Sequence, residues 1–194
     1  MFFNIIKTMN KGLLIIMSGP SGVGKGTIRN KLFENNDLNL FFSVSMTTRK
    51  PRPGEVDGQD YYFVSREEFD KNIENGNLLE WAEFVGNRYG TPKDKVEKMR
   101  EEGKNVLLEI EVNGTAQVLK KVEDAISIFI LPPSLEKLEN RIRGRSTETE
   151  DVIQGRLAKA TKELELQTQY KFKVVNDDIN KAVEEIRNII KNNM

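Results

Sequence analysis

The chain has 194 residues, 30 basic and 30 acidic side chains that cancel, and neither cysteine nor histidine. This length suits one α/β core with a small insertion, and the charge balance supplies no global field for nucleic acid or an anionic membrane. The missing residue types exclude disulfides, zinc fingers, cysteine nucleophiles and imidazole acid–base chemistry; phosphoryl transfer, which rests on positioning and charge neutralisation, stays open.

The first residues, MFFNIIKTMNKG, are apolar but broken by Asn4, Lys7 and Asn10, with no basic region ahead of them, which is not the pattern of a signal peptide. Residues 1–8 are expected to be a flexible extension. No apolar run approaches the roughly 20 residues that span a bilayer, and a soluble, cytoplasmic protein is expected. Residues 13–17 (LLIIM) are an unbroken apolar run, the pattern of a strand covered on both faces. Glycines at 19, 22 and 24 follow, and a helix-permissive stretch opens at Lys25. Gly19, Gly24 and Lys25 have the G-x-x-x-x-G-K spacing of a phosphate loop, in which backbone N–H groups converge on phosphate oxygens and side chains would obstruct them. The helix N-terminus adds partial positive charge and Lys25 a full one. The hydroxyl that usually follows the lysine is displaced one step: Gly26 stands there and Thr27 carries it.

Beyond the loop the periodicity predicts a helix over 25–36 and a strand over 41–45. Residues 46–63, dense in Pro, Gly, Arg and Tyr, read as an ordered functional loop. A helix is expected over 66–75, a strand over 78–84, a turn over 86–90, and a helix over 92–102 stopped by Gly103. A buried strand over 105–110 precedes a helix over 113–122; another over 127–131 is stopped by Pro132 and Pro133. Helices over 134–143 and 151–170 flank the polar segment GRSTETE, a strand occupies 172–175, and the last helix carries Ala182, Val183, Ile186, Ile189 and Ile190 at helical spacing. Strands alternating with helices imply a parallel sheet covered on both faces.

Four further groups of residues carry chemistry. Arg49 and Arg52, with Tyr61, suit a phosphate dianion; a solvated basic turn is the default for an isolated arginine pair, and Pro51 and Pro53, which fix the loop, tip the reading only slightly toward phosphate. Glu80, inside an expected strand, either faces solvent or turns inward, where a carboxylate accepts two hydrogens from the N1–H and exocyclic amine of guanine, a pair that adenine lacks. Glu109 and Glu111 follow an apolar strand at its carboxyl end, where open α/β sheets bind ligands; they suggest Mg2+ held through waters, or simple solvent-facing alternation. Arg141, Arg145 and Arg156, with Arg143 nearby, surround GRSTETE: either a lid that neutralises a transferring phosphoryl group, or a helix-end cluster paired with Glu148, Glu150 and Asp151.

Taken together, SGPSGVGKGT, SVSMTTRKPRPGEVDGQDYYFV, EWAEFVGNRYGTP, LLEIEVNGTA, IFILPPS, RIRGRSTETE and VVNDD, in this order over nearly the whole chain, resemble the guanylate kinase family. The R-x-P-R-x-G-E segment is far more specific than the phosphate loop. The resemblance implies a P-loop NTPase fold with a core over 9–43 and 92–194, a lid at about 143–157 within it, and an inserted GMP-binding domain over 44–91. It implies ATP + GMP giving ADP + GDP with Mg2+ as cofactor, dGMP as a further acceptor, no nucleic-acid or membrane partner, and a monomer or homodimer. Ser18, Gly19, Pro20, Ser21, Gly22, Val23, Gly24, Lys25, Gly26 and Thr27 would hold ATP, with Asn176 near the adenine. Ser45 and Glu80 would read guanine, with Thr91 and Glu111 also on the GMP side. Arg49, Arg52, Tyr61 and Tyr89 would hold the GMP phosphate. Lys25, Arg141, Arg145 and Arg156 would serve the transfer, and Thr27 and Glu109 the metal, the latter through water. The chain departs from the family pattern at Gly26 (often Ser), Glu109 and Glu111 (often Asp), Thr91 (often Ser), Asn113 (often Gln) and Ser146 (often Gly). Two competing classes fare worse. A guanylate-kinase-like binding module typically has a degraded phosphate loop, whereas Lys25 is kept here, and a GTPase needs N-K-x-D, whereas NKAV at 180–183 lacks the acid.

Overall fold

The computed structural model describes residues 11–144 and 149–194; the expected extension over 1–8, and Arg145 and Ser146, lie outside the described residues. β1 (Leu14–Ser18) runs through the centre of a five-stranded sheet, and its first four side chains have no exposed surface. The remaining strands are β2 (Leu40–Phe42), β7 (Asn105–Glu109), β8 (Ile126–Leu131) and β9 (Phe172–Val175), in the order β2-β7-β1-β8-β9. Every pair in this sheet is parallel, with Leu14 opposite Val106 and Ile15 opposite Ile126.

The apolar run in β1 is unbroken because both faces are covered. Ile15 and Met17 pack with Ile28 and Leu32 of α1 (Lys25–Leu32) and with Ile186 and Ile190 of α7 (Ile179–Lys191). Leu14 and Ile16 point the other way, into a cluster with Val96 of α3 (Lys93–Glu101) and Val118 of α4 (Val112–Leu119). Each such buried side chain contributes about 1.5–3 kcal/mol. α5 (Leu135–Arg143) and α6 (Glu150–Glu165) follow β8; α5 is capped by Ser134, whose hydroxyl accepts the Lys137 N–H.

A second sheet, of four strands, is mixed. β3 (Met46–Thr47) pairs in parallel with β4 (Tyr62–Phe63) and antiparallel with β6 (Asn87–Pro92), which pairs antiparallel with β5 (Leu78–Phe84); α2 (Arg66–Glu74) is part of the same region. The alternation of strands and helices did not predict this sheet, because β3 and β4 have two residues each and lie in a stretch that reads as loop. The turn expected over 86–90 is shorter: Val85 and Gly86, at φ 48° and 72°, make the bend, and β6 starts at Asn87. Paired positive φ values are what a two-residue hairpin needs to match strand twist. The helix expected over 25–36 stops at Leu32, and that over 151–170 stops at Glu165, each followed by a 3-10 turn. No helix among the described residues is long and apolar enough to cross a membrane.

Candidate functional site

β1 delivers the chain into the phosphate loop at Ser18, and α1 leaves it at Lys25. Gly24 begins that helix at φ 98°, and a Cβ there would lie 2.6 Å from Asn176 Nδ2, so conformation and space both require glycine. α1 has no side-chain cap and no acid in its first turn among the described residues, which leaves its leading amides for an external anion. The Lys25 ammonium donates to the carbonyls of Gly19 (2.5 Å) and Pro20 (3.1 Å). Burial lowers its pKa from the usual lysine value, while Glu109, Glu163 and Glu111 act to raise it.

On one flank of the loop, Asn176 Nδ2 donates to the Val23 carbonyl at 2.8 Å, and Arg141 donates to the carbonyls of Asn176 (2.9 Å) and Val23 (3.4 Å). Arg141, Asn176, Gly22, Gly24 and Thr27 line a cavity of about 560 Å3 there. Below the loop, Arg156 of α6 donates to Ser21 Oγ at 2.9 Å, and the Ser21 N–H donates to Glu163, one of the groups that burial pushes above the ordinary carboxylate range. The arginines around GRSTETE thus divide. Arg141 and Arg156 turn to the loop, whereas Arg143 pairs bidentately with Glu150 (2.6 and 2.8 Å), holding that carboxyl down at about 2.

On the other flank, Ser45, Tyr61, Glu80, Tyr89, Glu109 and Glu111 line a cavity of about 340 Å3, together with Phe84 and Gly114. Glu80 turns inward and is only 6% exposed. Its pairing with β6 is interrupted between Leu78 and Trp81, and the irregularity releases the side chain from plain strand alternation. The Thr91 hydroxyl donates to Glu80 Oε1 at 2.6 Å, and Oε2 has no protein partner among the described residues. Burial raises the Glu80 pKa from its ordinary value; the Thr91 bond and Lys121 pull it down, and Glu111 reinforces the rise.

Arg49 donates to Glu55 through both terminal guanidinium nitrogens (2.9 and 2.7 Å), and Glu55 also accepts the Arg52 N–H at 2.7 Å. The guanidinium of Arg49 lies 5.3 Å from the centre of the Tyr61 ring, which packs edge-on to Tyr89 at 6.0 Å. Arg49, Tyr61 and Tyr89 are therefore brought together, while Arg52 stays exposed on the loop.

Glu109, at the end of β7, pairs with Arg29 at 3.0 Å, and Glu111, which immediately precedes α4, pairs with Lys159 at 3.0 Å. No group of three or more acids, histidines or cysteines able to hold a metal occurs among the described residues. That donor set does not cage a bare ion; it fits Mg2+, which binds with substrate phosphates and waters through one or two protein oxygens. Thr27 and Glu109 are the residues that fit. Sequence reasoning missed Arg29, Glu55, Lys159 and Glu163. Only Glu55 carried a signal, as the acid that closes RKPRPGE; the other three are partnered across 48 to 80 residues or through the fold.

The sequence profile of the guanylate kinase family matches residues 11–193. The chain is 57% identical over 180 residues to a guanylate kinase of Bacillus cereus, covering 93% of this chain and 88% of that one. It is 54% identical to one of Lactococcus lactis, over 93% and 87% of the two chains. Among solved structures, the guanylate kinase of Anaplasma phagocytophilum superposes with a TM-score of 0.73 at 38% identity, over 94% of this chain and 86% of that one. A shikimate kinase of Bacteroides thetaiotaomicron, at 16% identity and a TM-score of 0.50 over 92% and 98% of the chains, shares the fold alone.

Proposed function

The chain belongs to the guanylate kinase family, and from that membership we infer that it is a nucleoside monophosphate kinase transferring the γ-phosphoryl group of ATP to GMP, with ADP and GDP as products. The observation that supports this acceptor best is Glu80, an acid withdrawn from water, with one oxygen tied to Thr91 and the other left for a ligand in a cavity walled by Glu109 and Glu111. Those two acids also act on the charge of Lys25, which supports a base pocket beside the phosphate loop.

In this reading the loop from Ser18 to Thr27 holds the ATP phosphates through its amides and Lys25. Arg141 and Asn176 shape the cavity for the adenosine end, and Ser45, Glu80, Thr91 and Glu111 hold the guanine. Arg49, Arg52, Tyr61 and Tyr89 hold the GMP phosphate; on binding, that dianion competes with Glu55 for the Arg49 fork. The acceptor oxygen is already anionic, so transfer is direct and in line, with no strong base and no covalent intermediate. The barrier is repulsion: two unit charges at about 4 Å repel by roughly 1 kcal/mol in water and roughly 4 kcal/mol at an effective dielectric near 20. Lys25, Arg156 and Arg145 oppose that repulsion. Thr27 and Glu109 would hold Mg2+, which would supply neutralisation of phosphate charge when bound with ATP. The division into a core, a GMP-binding domain over 44–91 and a lid at about 143–157 follows from the same assignment.

A coupled ADP-release assay with GMP, dGMP and AMP as acceptors tests this. Turnover with GMP and dGMP, and an AMP rate lower by orders of magnitude, is expected. Equal use of AMP would remove the base-reading assignment.

A further inference from the structure

Helix α4 is fastened to β5 on both sides of Glu80. The Gln117 side chain accepts the Trp81 N–H at 3.1 Å and donates to the Trp81 carbonyl at 2.9 Å, and Lys121, just beyond the helix, donates to the Leu78 carbonyl at 2.9 Å. Gly114 lies one turn before Gln117, against the carboxylate itself. A Cβ there would stand 2.6 Å from Glu80 Oε2, 3.2 Å from Cδ and 3.4 Å from Cγ. The first distance is shorter than any ordinary contact of a methyl carbon with oxygen. The Thr91 hydroxyl holds the other oxygen, Oε1, at 2.6 Å, so any shift of the carboxylate away from such a Cβ works against that bond. The backbone itself gives no reason for glycine: residue 114 is inside a helix and absent from the positive-φ glycines, and glycine there costs about 1 kcal/mol against alanine.

We propose that Gly114 is a specificity-determining residue: its missing side chain leaves Glu80 Oε2 where it meets the guanine edge, and Gln117 and Lys121 are positioning residues that fix the helix at that distance. The proposal rests on the reading of Glu80 as the base-selecting carboxylate. It makes α4, which contributes no polar side chain to Glu80, the gauge that sets the depth of the base pocket. A methyl group at 114 makes either the carboxylate or the helix shift, and the carboxylate, at the end of a side chain, makes the smaller movement.

The test is a double-mutant cycle with Gly114→Ala and Glu80→Asp, which shortens the acid by one methylene. GMP affinity is read by equilibrium binding and by the separation of KM from kcat, with melting temperature recorded throughout. Gly114→Ala is expected to raise KM for GMP at least tenfold, to narrow the GMP-over-IMP preference, and to leave kcat within a few-fold. Glu80→Asp weakens GMP binding in the wild-type background but restores it in the Gly114→Ala background, a change of sign that general damage to the helix does not produce. An unchanged KM in Gly114→Ala, or a double variant weaker than both single ones, overturns the proposal. If Gly114→Ala alone fails to fold, the double variant decides: folding with GMP binding supports the gauge, and failure to fold overturns it. Glu80→Gln, assayed alongside, separates the premise from the proposal. If it keeps the wild-type preference for GMP over AMP, base reading by Glu80 itself is wrong; if it loses that preference while Gly114→Ala leaves KM for GMP unchanged, only the gauge is wrong.

Discussion

Replacing Glu80 by glutamine preserves its shape and removes its charge, which isolates what the carboxylate does for the base. In the free protein Oε1 accepts the Thr91 hydroxyl at 2.6 Å and Oε2 has no protein partner among the described residues. Guanine offers two donors to that acid, and a hydrogen bond to a charged group contributes about 1.5–3 kcal/mol. The amide keeps at most one acceptor toward the base and turns the other position into a donor facing a donor. The loss is about 3 kcal/mol, or roughly a hundredfold in KM for GMP at about 1.4 kcal/mol per decade. AMP, which does not present the donor pair, should change little. The same residue sets a pH dependence. Burial raises the Glu80 pKa, so the pocket loses its ionised form at a higher pH than an ordinary carboxylate would as acid is added. The GMP-over-AMP ratio of kcat/KM, in which phosphate ionisation common to both substrates cancels, should therefore fall on acidification in the wild type and stay flat in Glu80→Gln. Stability moves the opposite way. A raised folded-state pKa means that this group's contribution is fully present below its unfolded value and is lost as pH rises through the folded one. Near neutral pH the glutamine variant, which has no such loss, should melt at a higher temperature than the wild type. Steady-state kinetics across pH and thermal unfolding at neutral pH read all three effects; an unchanged GMP preference in the variant would refute the reasoning.

Lys25→Ala should lower kcat by about 10²–10³-fold, the usual effect of deleting one preorganised electrostatic group; a kcat within tenfold of wild type would show that the loop amides suffice. Gly26→Ser places a hydroxyl where a Cβ meets nothing within 4 Å, and in a helical position that prefers serine to glycine by a few tenths of a kcal/mol. The Mg2+ concentration for half-maximal rate should fall severalfold, as read by metal titration at fixed ATP. Val85, 80% exposed at φ 48°, is a β-branched residue in a left-handed turn position. Val85→Asn should stabilise the protein by about 1 kcal/mol, or about 2–4 °C in melting temperature, with kcat/KM unchanged.

Features encoded by contiguous residues are legible in the sequence. The phosphate loop is one: strand, glycine turn and lysine occur in order, and the backbone geometry they impose is local. The central strand is another, because an apolar run with no alternation means cover on both faces, and Leu14 to Met17 have just that. Elements too short for periodicity are not legible, which is why β3 and β4 read as loop. The fate of individual arginines is equally closed, since Arg141 and Arg143 lie two residues apart on one helix, yet one turns to the phosphate loop and the other to Glu150. On a helix such a spacing puts two side chains on different faces, and only the neighbouring elements decide what each face meets.

Chain order and composition are thus enough for the phosphate loop, the parallel core and, through the extended motifs, the family. They do not say that Glu80 turns inward, that Thr91 grips one of its oxygens, or that Gly114, 34 residues away, leaves room for the other; those facts belong to the assembled fold. Loop and strand conformations follow from the steric preferences of adjacent residues, whereas the close approach of α4 to the Glu80 carboxylate is set by the side chains that hold α4 and β5 together.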